Sequence, residues 1–410
     1  MKTLLQNKQL RYLFLCNFAI VFIGFGLFPV LPLYAAEFGA SPSFIGIYLA
    51  VTYIAISVGS ILTGQLVEHF SYKSVYAAAG ALGMVSLLLL VWADALWQIV
   101  ILTALVWFAG GVGLSISSIL ATTHTPSSER GRAFGMLALT SPLGALIGSL
   151  VVGRLVAWSG YSLMFVVLAV EWSVFPALAL TRVRYDEPAH GSASSQPARG
   201  SSSTPQPGIY FSLLLATVLL ASMTVSVGRM GLSMTMKEQL FSASEVSTAN
   251  ALGGLFTIPV TLMIGSLSDR LGRKHFLFMG YVLAMGGTLL LIAAHELWQF
   301  WLVAALVLAA RSVITAMSPA YATDLLSRQS LNRTLPLVGT MNWVSGVIGF
   351  AGSGYVIDSF GSTSLYGATT ALAVLAGVMV MFLPVSLTMK TPAPPPPEAS
   401  EALPEICKYC

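Results

Sequence analysis

The chain has 410 residues, of which 56% are hydrophobic and only 9% are charged, and its formal net charge is +4. Soluble domains carry about 25% charged residues, so this composition excludes an ordinary soluble protein and indicates a chain that folds in a lipid bilayer. The sequence lacks the ten-residue alternating pattern of outer-membrane barrels, so helices are the expected membrane-crossing elements.

Uninterrupted apolar stretches of about 20 residues are long enough to cross the hydrocarbon core as helices. Twelve such stretches follow one another, so the sequence predicts an all-α membrane protein with twelve transmembrane helices. The predicted spans are 10–36, 43–68, 74–93, 96–123, 131–157, 161–181, 209–236, 243–268, 275–294, 297–323, 333–357 and 364–387.

A segment of different composition separates the first six spans from the last six. Residues 182–208 are rich in serine, proline and glycine, which is typical of a flexible linker, and the proline-rich tail at 389–410 is expected to be disordered too. The sequence therefore predicts an N-terminal six-helix half (1–181), a cytoplasmic linker, a C-terminal six-helix half (209–388) and a disordered cytoplasmic tail.

Basic residues are distributed unevenly around the predicted spans. Of the 20 Lys and Arg, 16 lie on one side, two (Arg154 and Lys237) lie in loops on the other side, and two lie inside spans. Basic segments are retained in the cytoplasm, so we expect a multi-pass protein of the inner (plasma) membrane with both termini cytoplasmic. The 16 residues are Lys2, Lys8, Arg11, Lys73, Arg130, Arg132, Arg182, Arg184, Arg199, Arg270, Arg273, Lys274, Arg328, Arg333, Lys390 and Lys408.

The two halves of the sequence repeat each other at an offset of 201 residues. The loop GQLVEHFSYK, which begins at Gly64, corresponds to GSLSDRLGRK, which begins at Gly265. Six helices return the chain to its starting side, so the halves are expected to be parallel and related by an axis along the membrane normal. The same offset pairs Glu37, Ser41, Ser117, Arg132, Gly148, Gly153 and Gly160 with Glu238, Ser242, Ser318, Arg333, Gly349, Gly354 and Gly361.

The loop GSLSDRLGRK at 265–274 resembles the signature loop of the major facilitator superfamily. FPVLPLYAAEFG at 28–39 and SERGRAFG at 128–135 are similar to the twelve-helix drug:proton antiporter branch of that superfamily. The resemblance extends through residue 388. It implies the major facilitator fold with two parallel six-helix pseudo-repeats, a cytoplasmic gate, alternating access and, in most members, proton coupling.

The chain departs from the antiporter branch at two places. The arginine that the branch places midway along the fourth helix is missing from LVWFAGGVGLS at 105–115, and the basic residue stands at the repeat position instead, as Arg311. The fifth-helix antiporter motif is reduced to SPLGALIG at 141–148, in which Pro142 and the small residues preserve a kink and close packing.

The two signature loops predict a cytoplasmic latch between the halves. Basic residues after Asp269 can pair with carboxylates or helix C-termini of the facing half, and the glycines permit a tight turn. In the first loop Glu68 replaces the aspartate, so the two latches are expected to be unequal; anchoring of helix ends at the membrane surface is the alternative role. The predicted gating residues are Gly64, Glu68, Lys73, Gly265, Asp269, Arg270, Gly272, Arg273 and Lys274.

Two arginines lie inside predicted spans, Arg229 in the seventh and Arg311 in the tenth. Burial of an unpaired charge in lipid is costly, so each is expected to face the bundle interior. The family resemblance implies that these helices line the cavity, so both arginines are predicted to contact substrate. A structural role, in which the arginine caps carbonyls or neutralises a buried acid, is the alternative. The other predicted substrate-binding residues are Tyr53, Asn342, Trp343, Met230 and Ser226.

Three carboxylates are candidates for proton coupling. Glu171 is the only one well inside a span, where a buried carboxyl group can carry a proton, although pairing with an arginine is an equal alternative. Glu37 and Glu238 lie at the outer ends of the first and seventh spans, where they could take up protons from outside or serve as ordinary interfacial residues.

The leading prediction is a secondary transporter that couples protons to efflux of a small amphiphilic or anionic compound, because cavity arginines favour an acidic or neutral solute. A proton-coupled importer of an organic anion is the alternative, and a channel or a non-transporting sensor is a weaker one. No metal or cofactor is expected, because the five histidines lack ligand spacing and no P-loop is present. We expect no enzyme activity, no nucleic-acid partner and a monomer.

Overall fold

The computed structural model describes residues 7–125, 129–185, 208–326 and 328–384. The predicted linker at 182–208 lies mostly outside the described residues, and the predicted tail at 389–410 lies wholly outside them. The backbone, but not the side chains, is described at positions 130–132, 265–266, 269–271, 328–333 and 335.

Helices form every regular element of the described residues. Before the linker they are α1 (Lys8–Leu27), α2 (Leu31–Glu37), α3 (Pro42–His69), α4 (Tyr72–Leu89), α5 (Leu96–Thr123), α6 (Arg130–Ala138), α7 (Thr140–Leu143), α8 (Ser149–Trp172) and α9 (Val174–Thr181). After the linker they are α10 (Ile209–Glu238), α11 (Ala243–Leu271), α12 (Arg273–Ala293), α13 (Leu297–Leu325), α14 (Arg328–Phe360) and α15 (Ser362–Met381). A 3-10 turn, Phe28–Val30, joins α1 to α2, and a π-helical turn, Gly144–Gly148, joins α7 to α8.

Serine caps determine where α3 and α11 begin. Ser41 Oγ accepts a hydrogen bond from the backbone N–H of Phe44, and Ser242 Oγ accepts one from the backbone N–H of Glu245. Such caps satisfy N–H groups that the first helical turn leaves without partners. The two serines are 201 residues apart, so the sequence offset pairs two helices that begin with the same cap.

Left-handed backbone conformations recur at the same offset. Gly160 interrupts α8 with φ 74°, and Gly361 separates α14 from α15 with φ 81°. Gly39 and Leu240, which follow α2 and α10, have φ 74° and 65°. A residue with a Cβ pays a steric cost in this region, so Leu240 marks a turn that the fold imposes on an unfavourable residue type.

Ten helical stretches of the described residues are long and apolar enough to cross a membrane. One of them, Ala133–Thr181, has 49 residues, which is about twice the length that one crossing needs, and Gly160 breaks it near its middle. The prediction of an all-helical membrane protein is therefore confirmed. The count of twelve spans stays a prediction.

The part of the chain before the linker packs against the part after it along two seams. In the first seam α3 contacts α14, and in the second seam α8 and the preceding π-helical turn contact α11. We call the end of the bundle where α2 ends and α3 begins the far end, and the end where α3 gives way to α4 the near end.

Glycines bring the backbones into contact at the far end of both seams. A Cβ atom on Gly354 would lie 2.9 Å from the Cα of Gly46 in the first seam, and one on Gly153 would lie 2.5 Å from the Cβ of Ser247 in the second. Hydrogen bonds accompany both approaches, from Ser43 Oγ to Asp358 (2.6 Å) and from Asn250 Nδ2 to Ser149 Oγ (2.8 Å). The far end is therefore sealed by close packing.

Substitution at Gly354 is expected to open this seal. The variant Gly354→Val introduces side-chain atoms where the backbones of α3 and α14 already touch, and overpacking of this kind costs about 1–3 kcal/mol of stability. Gly352→Val is the matched control, because Gly352 lies on the same helix and has no atom within 4 Å of its Cβ position. We expect a lower thermal midpoint in detergent for the first variant only; equal midpoints would contradict the described seam.

Candidate functional site

A cavity of about 870 Å³ lies between the two parts of the chain. Its lining extends to the near end through Phe134 of α6, Ile264 of α11 and Ala320 of α13, whereas the glycines that seal the far end do not line it. Most lining side chains are apolar, and no carboxylate is among the described residues that line it. The cavity is therefore a largely apolar chamber that extends from the middle of the bundle toward the near end.

Arg229 and Arg311 supply the charge of this chamber. Arg229 of α10 is buried, and its Nη1 donates a hydrogen bond of 2.6 Å to the hydroxyl of Tyr53. Arg311 of α13 is half-buried, and its Nη1 lies 3.4 Å from the same hydroxyl oxygen. One phenolic oxygen from α3 thus accepts from two guanidinium groups that belong to the other part of the chain.

Aromatic rings provide the remaining described contacts of the Arg229 guanidinium. Its central carbon lies 3.7 Å from the centroid of the Phe28 ring and 5.8 Å from that of Phe25, which also lies 5.6 Å from the Arg311 guanidinium. Ring faces attract cations but do not neutralise them. The Nε of Arg229 is buried and has no hydrogen-bond partner among the described residues, so the site holds uncompensated donor capacity.

Tyr53 reaches its position by packing across the first seam. Its ring makes edge-on contacts with Trp343 (5.6 Å between centroids), Phe350 (4.9 Å) and Phe28 (6.3 Å). It also lies directly on Gly346, where any Cβ would collide with the ring. Glycine at this position therefore allows the tyrosine to approach the arginines.

The predicted substrate-binding residues lie in three places: the central cavity, a smaller cavity beside it, and the hydrophobic core. Arg229, Arg311, Tyr53 and Trp343 line the central cavity together. Ser226 and Asn342 line a smaller adjoining cavity of about 190 Å³.

Met230 lines neither cavity. It is fully buried in the hydrophobic core, although it follows Arg229 directly in the sequence. Its predicted substrate contact is therefore not seen in this conformation.

The three predicted proton carriers lie apart from the chamber. Glu171 is half-buried on α8, and one of its carboxylate oxygens is buried without a hydrogen-bond partner among the described residues. Its neighbour Trp172 lines the chamber and donates an indole hydrogen bond of 2.8 Å to the carbonyl of Gly80. Glu37 and Glu238 are exposed at the far end, where Ser362 donates a 3.3 Å hydrogen bond to Glu238.

The second signature loop makes its described contacts with the part of the chain after the linker. Arg273 Nη1 forms a 2.7 Å ion pair with Asp324, and Lys274 Nζ donates to the carbonyls of Met381 and Leu383. Partners across the central cavity are not among these described contacts, and the predicted latch stays a prediction. The basic side chains described here lie near helix C-termini, where the backbone carbonyls attract them.

The remaining predicted gating residues differ between the two loops. Gly272 has φ 89° and ends α11, whereas its counterpart Ser71 has φ −65° and caps α4 through its side chain. Gly64, Glu68 and Lys73 of the first loop are exposed. Gly265, Asp269 and Arg270 lie on α11, and only the backbone is described at these positions.

Several site residues were not predicted from the sequence. Phe25 and Phe28 pack against the arginines, but an aromatic residue in an apolar span does not differ in hydrophobicity from its neighbours. Their spacing of three residues, which places them on one helical face, was the available signal. Asp324 was missed because its partner Arg273 lies on another helix.

The family model described as the Major Facilitator Superfamily matches residues 13–236 and again residues 214–406.

The chain belongs to the Major Facilitator Superfamily.

Its relatives include the multidrug resistance protein MdtG of Salmonella arizonae, which is 25% identical over 363 residues that cover 86% of this chain and 88% of the relative. MdtG of Citrobacter koseri is 24% identical over 365 residues, covering 85% and 88%. The predicted resemblance to the drug:proton antiporter branch is confirmed. Because the superfamily consists of transporters, the prediction of a transporter rather than an enzyme is confirmed as well.

Two solved transporter structures have the same fold as this chain. A POT family transporter in complex with 5-aminolevulinic acid has a TM-score of 0.70 at 13% identity and covers 91% of this chain and 95% of its own. A mutant of the nucleoside transporter NupG has a TM-score of 0.71 at 14% identity and covers 92% and 99%. At these identities the likeness concerns the fold alone.

The hydroxyl of Tyr53 is expected to stabilise the buried Arg229. In Tyr53→Phe the guanidinium loses its described acceptor while the ring packing is retained, and an unsatisfied buried group costs about 1–3 kcal/mol. We expect a lower thermal midpoint than for Tyr355→Phe, an exposed control. In the double variant Tyr53→Phe/Arg229→Met the loss should be smaller than the sum of the two single losses; simple additivity would contradict the described contact.

Proposed function

We propose that this transporter exports small amphiphilic organic anions from the cytoplasm in exchange for protons, by alternating access. The observation that carries the proposal is the pair of cavity arginines, Arg229 and Arg311, in a chamber to which the described residues contribute no carboxylate. Two guanidinium groups offer up to ten N–H donors, and the hydroxyl of Tyr53 accepts from only two of them. An acidic group on a ligand would supply the missing acceptors.

The chamber walls support an apolar body for the same ligand. Phe134, Trp107 and Trp172 line the chamber beyond the arginines, and a volume of about 870 Å³ falls within the range of sites for drug-sized molecules. A lipophilic cation would meet like charge at the arginines. The combination therefore favours an amphiphilic acid over a cation.

The direction of transport is supported by the shape of the chamber and by the relatives. The chamber extends to the near end, which carries the loops that are predicted to be cytoplasmic, so a ligand would load from that side. Relatives over most of the chain are named multidrug resistance proteins. Proton-coupled import remains the alternative, and the vesicle experiment below separates the two directions.

The architecture that we propose has twelve spans in two parallel six-helix halves, 1–181 and 209–388, in the inner membrane, with both termini cytoplasmic and the protein monomeric. The 201-residue offset supports this architecture, because it relates the contact of Gly46 with Gly354 to the contact of Ser247 with Gly153. The same offset relates the contact of Tyr53 with Gly346 to that of Gly254 with Ala145. The uneven distribution of basic residues supports the orientation.

Proton coupling is assigned to Glu171 in this proposal. One carboxylate oxygen of Glu171 is buried without a described partner, and the proton occupancy of such a group responds to its surroundings. The next residue, Trp172, lines the chamber. Glu37 and Glu238 are exposed at the far end and are the secondary candidates. The signature loops are assigned to gating, with the Arg273–Asp324 pair as a stiffening contact of the C-terminal half.

Arg311→Ala is expected to impair transport of anions selectively. We would measure uptake of radiolabelled 1-octanesulfonate, a permanent anion, into everted vesicles with an acidic lumen. Loss of charge-assisted hydrogen bonds of about 1.5–3 kcal/mol predicts a KM about 10-fold to 100-fold higher. Arg154→Ala, at an exposed arginine, should behave as wild type.

Two results of this experiment would overturn parts of the proposal. Equal saturable uptake of octyltrimethylammonium would refute the preference for anions. Accumulation of octanesulfonate only in right-side-out vesicles with an acidic exterior would refute export and favour import.

Glu171→Gln is expected to uncouple transport from the proton gradient. The amide keeps the shape of the side chain but cannot exchange a proton. Gradient-driven accumulation of octanesulfonate should fall to the level of equilibration, while counterflow without a gradient should persist. Asp94→Asn, at an exposed carboxylate, is the control. Unchanged gradient-driven accumulation in Glu171→Gln would exclude Glu171 as the proton carrier.

A further inference from the structure

A second cavity of about 190 Å³ adjoins the central chamber at Arg311, and we call it the side pocket. Its walls come from α10, α13 and α14 of the C-terminal half, with Tyr53 as the one described contribution from the N-terminal half. Tyr53, Arg311, Thr315 and Trp343 line both cavities. A ligand held at Arg311 therefore lies next to both spaces.

The side pocket differs from the chamber in its chemistry. Ser222, Ser226 and Asn342 line the side pocket and not the chamber. Three polar side chains on so small a surface contrast with the chamber, where the hydroxyl groups of Ser141, Thr257, Thr261 and Ser312 are spread over a much larger and mostly apolar wall. Polar groups in a pocket specify orientation and identity of a ligand more than they contribute bulk affinity.

Hydrogen bonds within the wall hold these polar groups in place and leave part of their capacity unused. Ser222 Oγ donates to Asn342 Oδ1 (2.7 Å), and Asn342 Nδ2 donates to the carbonyl of Val338 (3.2 Å). Ser226 Oγ donates to the carbonyl of Ser222 (3.0 Å). The second N–H of the Asn342 amide and the lone pairs of both serine hydroxyls have no described partner, so the wall presents a donor and acceptors together.

The volume of the side pocket limits what it can hold. At about 30 Å³ per water in the liquid, it has room for about six water molecules or a small substituent, but not for the apolar body of a drug-sized ligand. Such a body fits the chamber instead. The two spaces suit two parts of one molecule, with Arg311 between them.

We propose that the side pocket receives a hydrogen-bonding substituent, such as a hydroxyl or amide, carried next to the acidic group of the ligand. The preferred substrates are then amphiphilic hydroxy or amido acids rather than simple alkyl acids. This inference rests on the proposed function, because it takes the acidic group to lie on Arg311. It adds a selectivity that the arginines alone do not provide.

The test compares two permanent anions that differ by one hydroxyl group, 1-octanesulfonate and 2-hydroxyoctane-1-sulfonate. Their affinities for purified wild-type protein would be measured by calorimetry in lipid nanodiscs. One net hydrogen bond between a ligand and a protein predicts tighter binding of the hydroxylated anion by about 2-fold to 10-fold.

Variants of the side pocket should remove this preference without removing the anion site. Asn342→Leu is expected to bind both anions with equal affinity, because the hydroxyl group then loses its partner. Ser226→Ala is a smaller change that should also reduce the preference. It serves as the test if Asn342→Leu does not fold. Thr224→Val is the matched control on α10, because Thr224 is buried, donates to the carbonyl of Leu220 and lines neither cavity.

The outcomes distinguish this inference from the proposed function. No binding of either sulfonate would refute the anion site itself. Binding of both with equal affinity in wild type would refute the side-pocket inference while the anion site stands. A preference for the hydroxylated anion that survives in both Asn342→Leu and Ser226→Ala would also refute it, since the hydroxyl would then be recognised elsewhere.

Discussion

The contact of one tyrosine with two arginines is the constraint on which the rest of this molecule depends. Arg229 is buried among aromatic rings, and the chamber offers it no carboxylate among the described residues. Charge in such surroundings is costly unless a partner or a ligand compensates for it. Tyr53 supplies part of that compensation from across the first seam, so it contributes both to the packing of this seam and to the electrostatics of the site.

Much of this arrangement could be predicted from the sequence, because the bilayer makes polar residues conspicuous. Predicted spans at 10–36 and 43–68 correspond to helices within Lys8–Glu37 and Pro42–His69. Arg229 and Arg311 stand out in apolar spans, and the structure brings them to one oxygen atom. Contrast of this kind is absent for Phe25 and Phe28, which are as apolar as their neighbours.

The sequence did not show which way each side chain points or which residue it contacts. Met230 follows Arg229 in the chain, yet consecutive residues point about 100° apart on a helix, so it packs in the core while the arginine faces the chamber. The charges of the second signature loop were evident, but their partners depend on tertiary packing. Arg273 pairs with Asp324, which is 51 residues away along the chain and lies on a different helix.

The glycine contacts at the far end also affect how the protein can move. Backbone packing between Gly46 and Gly354 is held by dispersion and by few polar groups, in contrast to a seal made of buried ion pairs. Separating such surfaces loses mainly van der Waals contacts, and Ser43 and Asp358, whose hydrogen bond is exposed, can bond to water instead. Closure at this contact therefore depends on the fit of two backbone surfaces more than on charge.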